Sequence, residues 1–180
     1  MSAPTQNEPS PSNEFISFWL GSDRFAVEAG KVRAVMKYSH ITEVPGMPDY
    51  LPGVINLRGN VISVIDLCSV LDITAITEKE TAWLVIAEVH LESKLLQIGM
   101  LVNTVEDVIW LDTTQIAPSP DIGMKFDTQF VRGIGKQGTD FTIILDIDKV
   151  VSVVDAEITR TLSEHPADDS QRAGREKSFK

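Results

Sequence analysis

The sequence predicts an all-β (mainly β) protein that consists of two small barrels with five short strands each. Two observations carry this prediction: short apolar runs rich in β-branched residues alternate with tight-turn residues, and the same order of elements occurs twice along the 180 residues. Short strands at regular spacing with little helix are typical of small barrels. We expect the two barrels to share one core, with a natural groove at the interface between them.

The duplication is clearest at the end of each half. Gly53 and Asp66 lie 13 residues apart, and so do Gly133 and Asp146. Each aspartate closes an apolar strand and can begin a short helix by accepting a backbone N–H. In both halves a hairpin, a Val-x-x-Val segment and a Pro-bearing loop precede the glycine. This order indicates an internal repeat at the scale of supersecondary structure.

The first half contains the stretch LPGVINLRGNVISVIDL, residues 51–67. Its second strand has almost no polar position, so we expect that strand to be buried on both faces. Residues 31–37 can form either a helical turn or a strand, and the sequence leaves both open. The predicted elements of this half are a hairpin of residues 14–20 and 24–28, strands at 53–57 and 61–65 joined at 58–60, and a helix at 67–71.

The second half follows the same plan after a polar connection at residues 72–81. Its final apolar strand ends at an aspartate that can cap a terminal helix. The predicted elements are a hairpin of residues 83–89 and 94–102, a strand at 104–111, a loop at 118–124, strands at 130–134 and 141–145, and a helix from 146 to about 154.

Composition and charge restrict the possible functions. The net charge is −10, and residues 15–155 alone carry 19 acidic and 11 basic residues, which argues against nucleic acid and anionic membranes as partners. The single cysteine, Cys68, excludes an internal disulfide and suits a reducing cytoplasm. No apolar run is long enough to cross a bilayer. We expect a cytoplasmic protein without direct membrane insertion, with disordered tails at 1–14 and 156–180 around one domain at 15–155.

The sequence contains no evident catalytic constellation. Gly133, Gly135 and Gly138 form a G-x-G-x-x-G pattern, but a strand rather than a helix follows it, so we interpret the glycines as hairpin-turn residues. The three histidines have no partner at metal-binding spacing. Adjacent Glu106 and Asp107 suit a solvated strand edge. The sequence therefore predicts a binding module, not an enzyme, with no metal and no cofactor.

Arg58 is the exceptional residue of the central stretch, because it places a cation at a turn between apolar strands. One interpretation is a solvated turn residue, since most arginines are exposed. The other is an anchor for a partner's carboxylate or backbone, because the guanidinium group is a rigid fork of donors. The sequence leaves both interpretations open.

Several blocks of the sequence strongly resemble the CheW-type chemotaxis coupling proteins. They are FWLGSDRFAVEAGKVRAV, EVPGMPDY, LPGVINLRGNVISVIDL, IGMLVNTVEDVIWL, IAPSP, FVRGIG and TIILDIDKVV. The resemblance covers residues 15–154 and implies two five-stranded SH3-like β-barrels. It also implies a non-catalytic adaptor or scaffold that couples chemoreceptors to the histidine kinase CheA in bacterial chemotaxis signal transduction. The implied partners are the cytoplasmic tip of a chemoreceptor and the regulatory domain of CheA.

The resemblance further implies a receptor-binding groove between the barrels. Its apolar lining would accept the apolar stripe of a receptor helix, and Arg58 would bind a carboxylate or a helix-end carbonyl at the rim. Carried onto the matching positions of this sequence, the groove residues are Val32, Val35, Asn56, Leu57, Arg58, Gly59, Val102, Val105 and Val108.

Three positions depart from the family pattern. Ala34 stands where Glu is usual, Asn103 where Asp is usual, and Cys68 where Arg is common. The missing Glu removes a charge from the receptor-facing edge, so one alternative is a CheW-like paralogue in another chemosensory pathway, such as one that controls pilus motility. An alternative of another class is a small-barrel module that binds nucleic acid or a small polar ligand, against which the acidic core argues.

Overall fold

A computed structural model describes residues 13–74, 78–120, 123 and 127–164 of the chain. The strands of the described part are β1 (Glu14–Leu20), β2 (Asp23–Glu28), β3 (Val32–Lys37), β4 (Gly53–Leu57), β5 (Asn60–Asp66), β6 (Trp83–Leu91), β7 (Lys94–Val102), β8 (Thr104–Trp110), β9 (Ile116–Ala117), β10 (Val131–Gln137) and β11 (Asp140–Leu145). The helices are α1 (Leu67–Val70) and α2 (Ile147–Glu164). The predicted N-terminal tail, apart from its last two residues, and residues 165–180 lie outside the described part.

The strands form two curled sheets, each of which makes a small barrel. The six-stranded barrel has the order β8-β1-β2-β11-β10-β9, and the five-stranded barrel has the order β3-β6-β7-β5-β4. Each half of the sequence therefore gives its first hairpin to the barrel that the other half completes. The mainly β fold with two small SH3-like barrels is confirmed, and the exchanged hairpins intertwine the barrels.

Five strands of the six-stranded barrel correspond to the five strands of the other barrel, and β9 is the additional strand. In β4, a Cβ on Gly53 would lie 2.0 Å from the carbonyl oxygen of Thr42, and in β10, a Cβ on Gly133 would lie 2.8 Å from that of Ala117. A backbone segment thus passes directly over the same position in both barrels, and only glycine leaves room for it. The repeat that the sequence indicates is therefore present in three dimensions.

The main hydrophobic core takes side chains from both barrels. Phe18 and Phe25 of the six-stranded barrel belong to the same buried cluster as Leu84 and Met100 of the five-stranded barrel. The two phenylalanine rings are stacked with their centroids 6.4 Å apart. Because buried aromatic and aliphatic side chains dominate core energetics, this shared cluster makes the two barrels one packed unit.

The terminal helix α2 continues ten residues past Val154, the position where the sequence predicts its end. Val150 and Val154 are buried, and Ile158 packs against the same core. These residues are spaced four apart, so they lie on one face of the helix, and that apolar face extends into the stretch predicted as a polar tail. No helix of the described residues is long and apolar enough to span a membrane.

Strand β5 differs from the prediction that both its faces are buried. Ile62 and Val64 are buried, but Ser63 is exposed and Val61 is 73% exposed. Only the inner face is covered at the start of the strand, whereas Ile65 and Asp66 at its end are both buried. Residues 31–37, left open by the sequence, form strand β3 after a single 3-10 turn that ends at Lys31.

The glycine pattern near the C-terminus also differs from its interpretation as a turn. Gly138 lies in the β10–β11 turn with φ 60°, but Gly133 and Gly135 lie within β10. A Cβ on Gly135 would lie 2.5 Å from Cδ1 of Leu111, so this glycine permits close packing across the barrel. The two-residue strand β9 is not predicted, and part of the predicted loop 118–124 lies outside the described residues.

Candidate partner-binding site

A groove of about 260 Å³ runs along the seam of the five-stranded barrel, where the edge strand β3 approaches the β4–β5 hairpin. We call it the seam groove. Its lining residues are Arg33, Ala34, Met36, Leu57, Arg58, Asn60, Ile86 and Gln97. The side chains of Ala34, Met36, Leu57 and Ile86 belong to the hydrophobic core or pack against it. The groove therefore has an apolar floor below a polar and cationic rim.

Arg58 lies at the tip of the β4–β5 hairpin, where Leu57 pairs with Asn60 across a two-residue turn. Both turn residues have positive φ, 52° at Arg58 and 85° at Gly59, which matches the twist of the flanking strands. The Asn56 side chain accepts a hydrogen bond from the backbone N–H of Gly59, 2.9 Å away. The turn is thus held by backbone geometry and Asn56, and it does not depend on the guanidinium group.

The Arg58 side chain is exposed and has no hydrogen bond or ion pair to any other residue that the structure describes. An arginine in the left-handed region is strained by roughly 1–2 kcal/mol relative to the right-handed one. A free cation at a strained position beside an apolar floor favours the interpretation of Arg58 as an anchor for a partner.

Arg33, the other cation of the seam groove, is already neutralised. Its Nε and one terminal nitrogen donate to the two carboxylate oxygens of Glu88 at 2.9 and 3.1 Å, and the other terminal nitrogen donates to the carbonyl of Gly30 at 2.9 Å. The hydrogen bonds that Glu88 accepts, followed by its negative charge, raise the pKa of Arg33, and the hydrogen bonds that Arg33 donates lower the pKa of Glu88. The uncompensated charge at the groove therefore belongs to Arg58.

The structure distributes the predicted groove residues over several places. Leu57 and Arg58 line the seam groove, whereas Asn56 and Gly59 shape the hairpin beside it. The groove that Leu57 and Arg58 line is formed by strands of one barrel, although the sequence placed it between the two barrels. The edge strands β3 and β8 carry four of the predicted valines.

These four valines fall into two groups that differ in exposure. Val32 and Val105 are half-buried against the core. Val35 and Val108 face outward, 38% and 48% exposed. Val102 is fully buried at 0% exposure, so a partner cannot contact its side chain unless the core opens, and we leave Val102 out of the candidate surface.

Six lining residues of the seam groove are absent from the predicted set: Arg33, Ala34, Met36, Asn60, Ile86 and Gln97. They lie on four different strands, and only the closure of the sheet brings them together. Met36 follows Ala34 by two residues, and side chains two apart lie on the same face of a strand. The burial pattern of β3 agrees with this placement, and the spacing is the one signal in the sequence that could have added Met36 to the groove.

The described residues contain no cluster of three or more His, Cys, Asp or Glu side chains that could hold a metal ion. Cys68 is buried in α1, as expected for a small apolar residue. Burial, and then the charge of Asp66, raise the pKa of its thiol to about 12. The thiolate is the reactive form of cysteine, so this side chain is inert at neutral pH.

Comparison with known proteins identifies the family. The family model "CheW-like domain" matches residues 14–155. The chain belongs to this family. It is 30% identical over 139 residues to the chemotaxis protein CheW of Klebsiella aerogenes, covering 77% of this chain and 81% of that protein.

The fold agrees with a solved structure, that of the scaffolding protein TtCheW from Thermoanaerobacter tengcongensis. The TM-score is 0.70 with 29% sequence identity, over 83% of this chain and 93% of the other. The sequence-based expectation of a CheW-like chemotaxis scaffold is therefore confirmed at the level of the family. Protein PilI of Pseudomonas aeruginosa is 34% identical over 68 residues, only 38% of either chain.

Proposed function

We propose that this CheW-like protein is a non-catalytic adaptor that couples the cytoplasmic tip of a chemoreceptor to the regulatory domain of the histidine kinase CheA, in the cytoplasm. The observation that carries the proposal is the seam groove, an apolar channel with one uncompensated cation, on a chain that belongs to the CheW-like family throughout its barrels.

The groove suits one side of a helix. An amphipathic helix presents apolar side chains at spacings of three and four residues, and such a stripe docks into a groove of aliphatic side chains. In our proposal Leu57 and Met36 contact that stripe, and Arg58 pairs with a carboxylate or a helix-end carbonyl at the rim. Val35 and Val108, both outward-facing on edge strands, extend the contact surface.

Binding of the purified protein to each partner in isolation tests the proposal. Isothermal titration calorimetry would measure its affinity for a CheA regulatory domain and for a chemoreceptor signalling tip from the same organism. We expect saturable binding to both. A protein with the circular dichroism spectrum and cooperative unfolding of a folded domain that binds neither partner would contradict the proposal.

The second candidate is the same coupling role in another chemosensory pathway, such as one that controls pilus motility. Ala34 favours it, because a methyl group lines the groove where the family resemblance leads us to expect a carboxylate. Titration against receptor tips from both kinds of pathway distinguishes the two candidates by which tip binds more tightly.

A further inference from the structure

The seam of the six-stranded barrel, which corresponds to the seam groove, is closed. The side-chain nitrogen Nε2 of Gln137 donates to the backbone carbonyl of Trp110 at 3.2 Å, which joins β10 to β8. The side chain of Leu111 packs directly over Gly135 beneath this contact.

The strand pairings show which residues occupy these positions in the five-stranded barrel. Gln137 pairs with Asp140 as the last pair before its hairpin turn, and Leu57 pairs with Asn60 in the same way. By the same register Lys37 corresponds to Trp110. Leucine has no donor, so Leu57 cannot bond the carbonyl of Lys37 and close the seam as Gln137 does.

The seams of the two barrels differ in charge as well as in closure. Asp107 lies in β8 at the position that Ala34 holds in β3, because each follows the first valine of its Val-x-x-Val segment by two residues. No acidic side chain lines the seam groove, and Arg58 is its one unpaired cation among the described residues. On a protein of net charge −10, this groove is complementary to an apolar side chain with a carboxylate beside it.

We propose that Leu57 is the specificity-determining residue that keeps one of the two equivalent seams open, and that the occupant of this seam is an amphipathic helix of the partner whose apolar side chain is flanked by a carboxylate facing Arg58. The six-stranded barrel, closed by Gln137, does not take such a helix. The identity of the partner as a receptor tip rests on the proposed function, whereas the asymmetry of the seams does not.

The first test compares Leu57→Gln with its mirror variant Gln137→Leu, using an isolated chemoreceptor signalling-tip fragment as the probe. We expect Leu57→Gln to weaken binding by at least about tenfold and Gln137→Leu to leave it within about twofold, both with wild-type circular dichroism spectra. Equal affinity of folded Leu57→Gln and wild type, or an equal loss in Gln137→Leu, would overturn the proposal.

A measurement without any partner tests the asymmetry of the two seams separately from the identity of the partner. In nuclear magnetic resonance spectra, the side-chain amide protons of Gln137 should exchange slowly in the wild type, and those of the new glutamine in Leu57→Gln should become slow as well. Slow exchange in a wild type that binds no receptor tip would contradict the proposed receptor and leave the seam asymmetry standing. Fast exchange of the new glutamine would contradict the closure mechanism.

The charge of the occupant is tested at Ala34. Ala34→Asp adds a carboxylate to the seam groove, and Ala34→Asn adds nearly the same volume without charge. We expect Ala34→Asp to weaken binding of the receptor tip at least about fivefold more than Ala34→Asn, and the difference to shrink as salt is added. Equal losses in the two variants would show that only the added volume matters, and they would refute the proposal that the partner presents a carboxylate to the groove.

Discussion

Replacing Arg58 by glycine should weaken partner binding strongly at little cost to the fold. The residue has φ 52°, and relief of a left-handed side chain is worth about 1–2 kcal/mol. Against this gain stands the greater freedom of glycine in the unfolded chain, about 0.5–1 kcal/mol. Because the guanidinium group makes no contact that the fold would lose, the free energy of unfolding should stay within about 1 kcal/mol of the wild type.

The effect on binding should be far larger. Truncation of a central charged contact typically costs about 2 kcal/mol or more, which corresponds to roughly 30-fold in the dissociation constant. Urea unfolding followed by circular dichroism measures stability, and calorimetric titration with the receptor tip measures affinity. Glu92→Gly is the matched control, because Glu92 also has positive φ, 55°, in the β6–β7 turn, away from the residues that line the groove.

Two results would refute this reasoning. If Arg58→Gly bound the receptor tip as tightly as the wild type, the unpaired cation would be an ordinary solvated turn residue. If Arg58→Gly and Glu92→Gly lost affinity equally, the loss would reflect turn flexibility, and no specific contact at the seam groove would be needed to explain it.

Three further predictions concern the framework that holds the site. Gly53→Ala should lower the free energy of unfolding by about 3 kcal/mol or more in urea, because the added Cβ would lie 2.0 Å from the carbonyl oxygen of Thr42; near-wild-type stability would show that this segment moves freely. Asp66→Ala should cost about 1–2 kcal/mol in the same assay, since its carboxylate caps α1 at the backbone N–H of Cys68; no loss would mean that α1 needs no cap. Burial would raise the pKa of Asp148, but hydrogen bonds from the Lys31 ammonium and a backbone N–H outweigh burial and lower that pKa. The ionised carboxylate therefore stabilises the fold above about pH 4, and this stabilisation is lost as the pH falls further. Asp148→Asn should therefore be less stable than the wild type at pH 7, and this difference should shrink in unfolding curves measured at successively lower pH below about 4.

The local elements of the fold follow from the sequence because their signals are local. The turn at Gly21 ends β1 at Leu20 as predicted, and the cap at Asp66 begins α1 as predicted. The strand predicted at 130–134, by contrast, continues to Gln137. The equal spacing of Gly53 and Gly133 from the aspartates that follow them marks the repeat, which the strand pairings bear out.

The assembly of the site depends on information that no local pattern contains. Leu57 and Met36 are 21 positions apart in the sequence and meet only because a five-stranded sheet curls until its edges approach. The exchange of hairpins between the halves is equally non-local. Val102 belongs to the buried core to which both barrels contribute, whereas a motif match alone placed it in the groove.

Co-sedimentation of CheA with receptor-bearing membranes tests the coupling role most directly. Membranes that contain the chemoreceptor are mixed with CheA, with and without this protein, and the CheA in the pellet is quantified. We predict that CheA enters the pellet in proportion to added wild-type protein and that the Arg58→Gly variant fails to recruit it. Equal CheA in the pellet with and without folded wild-type protein would contradict the coupling role.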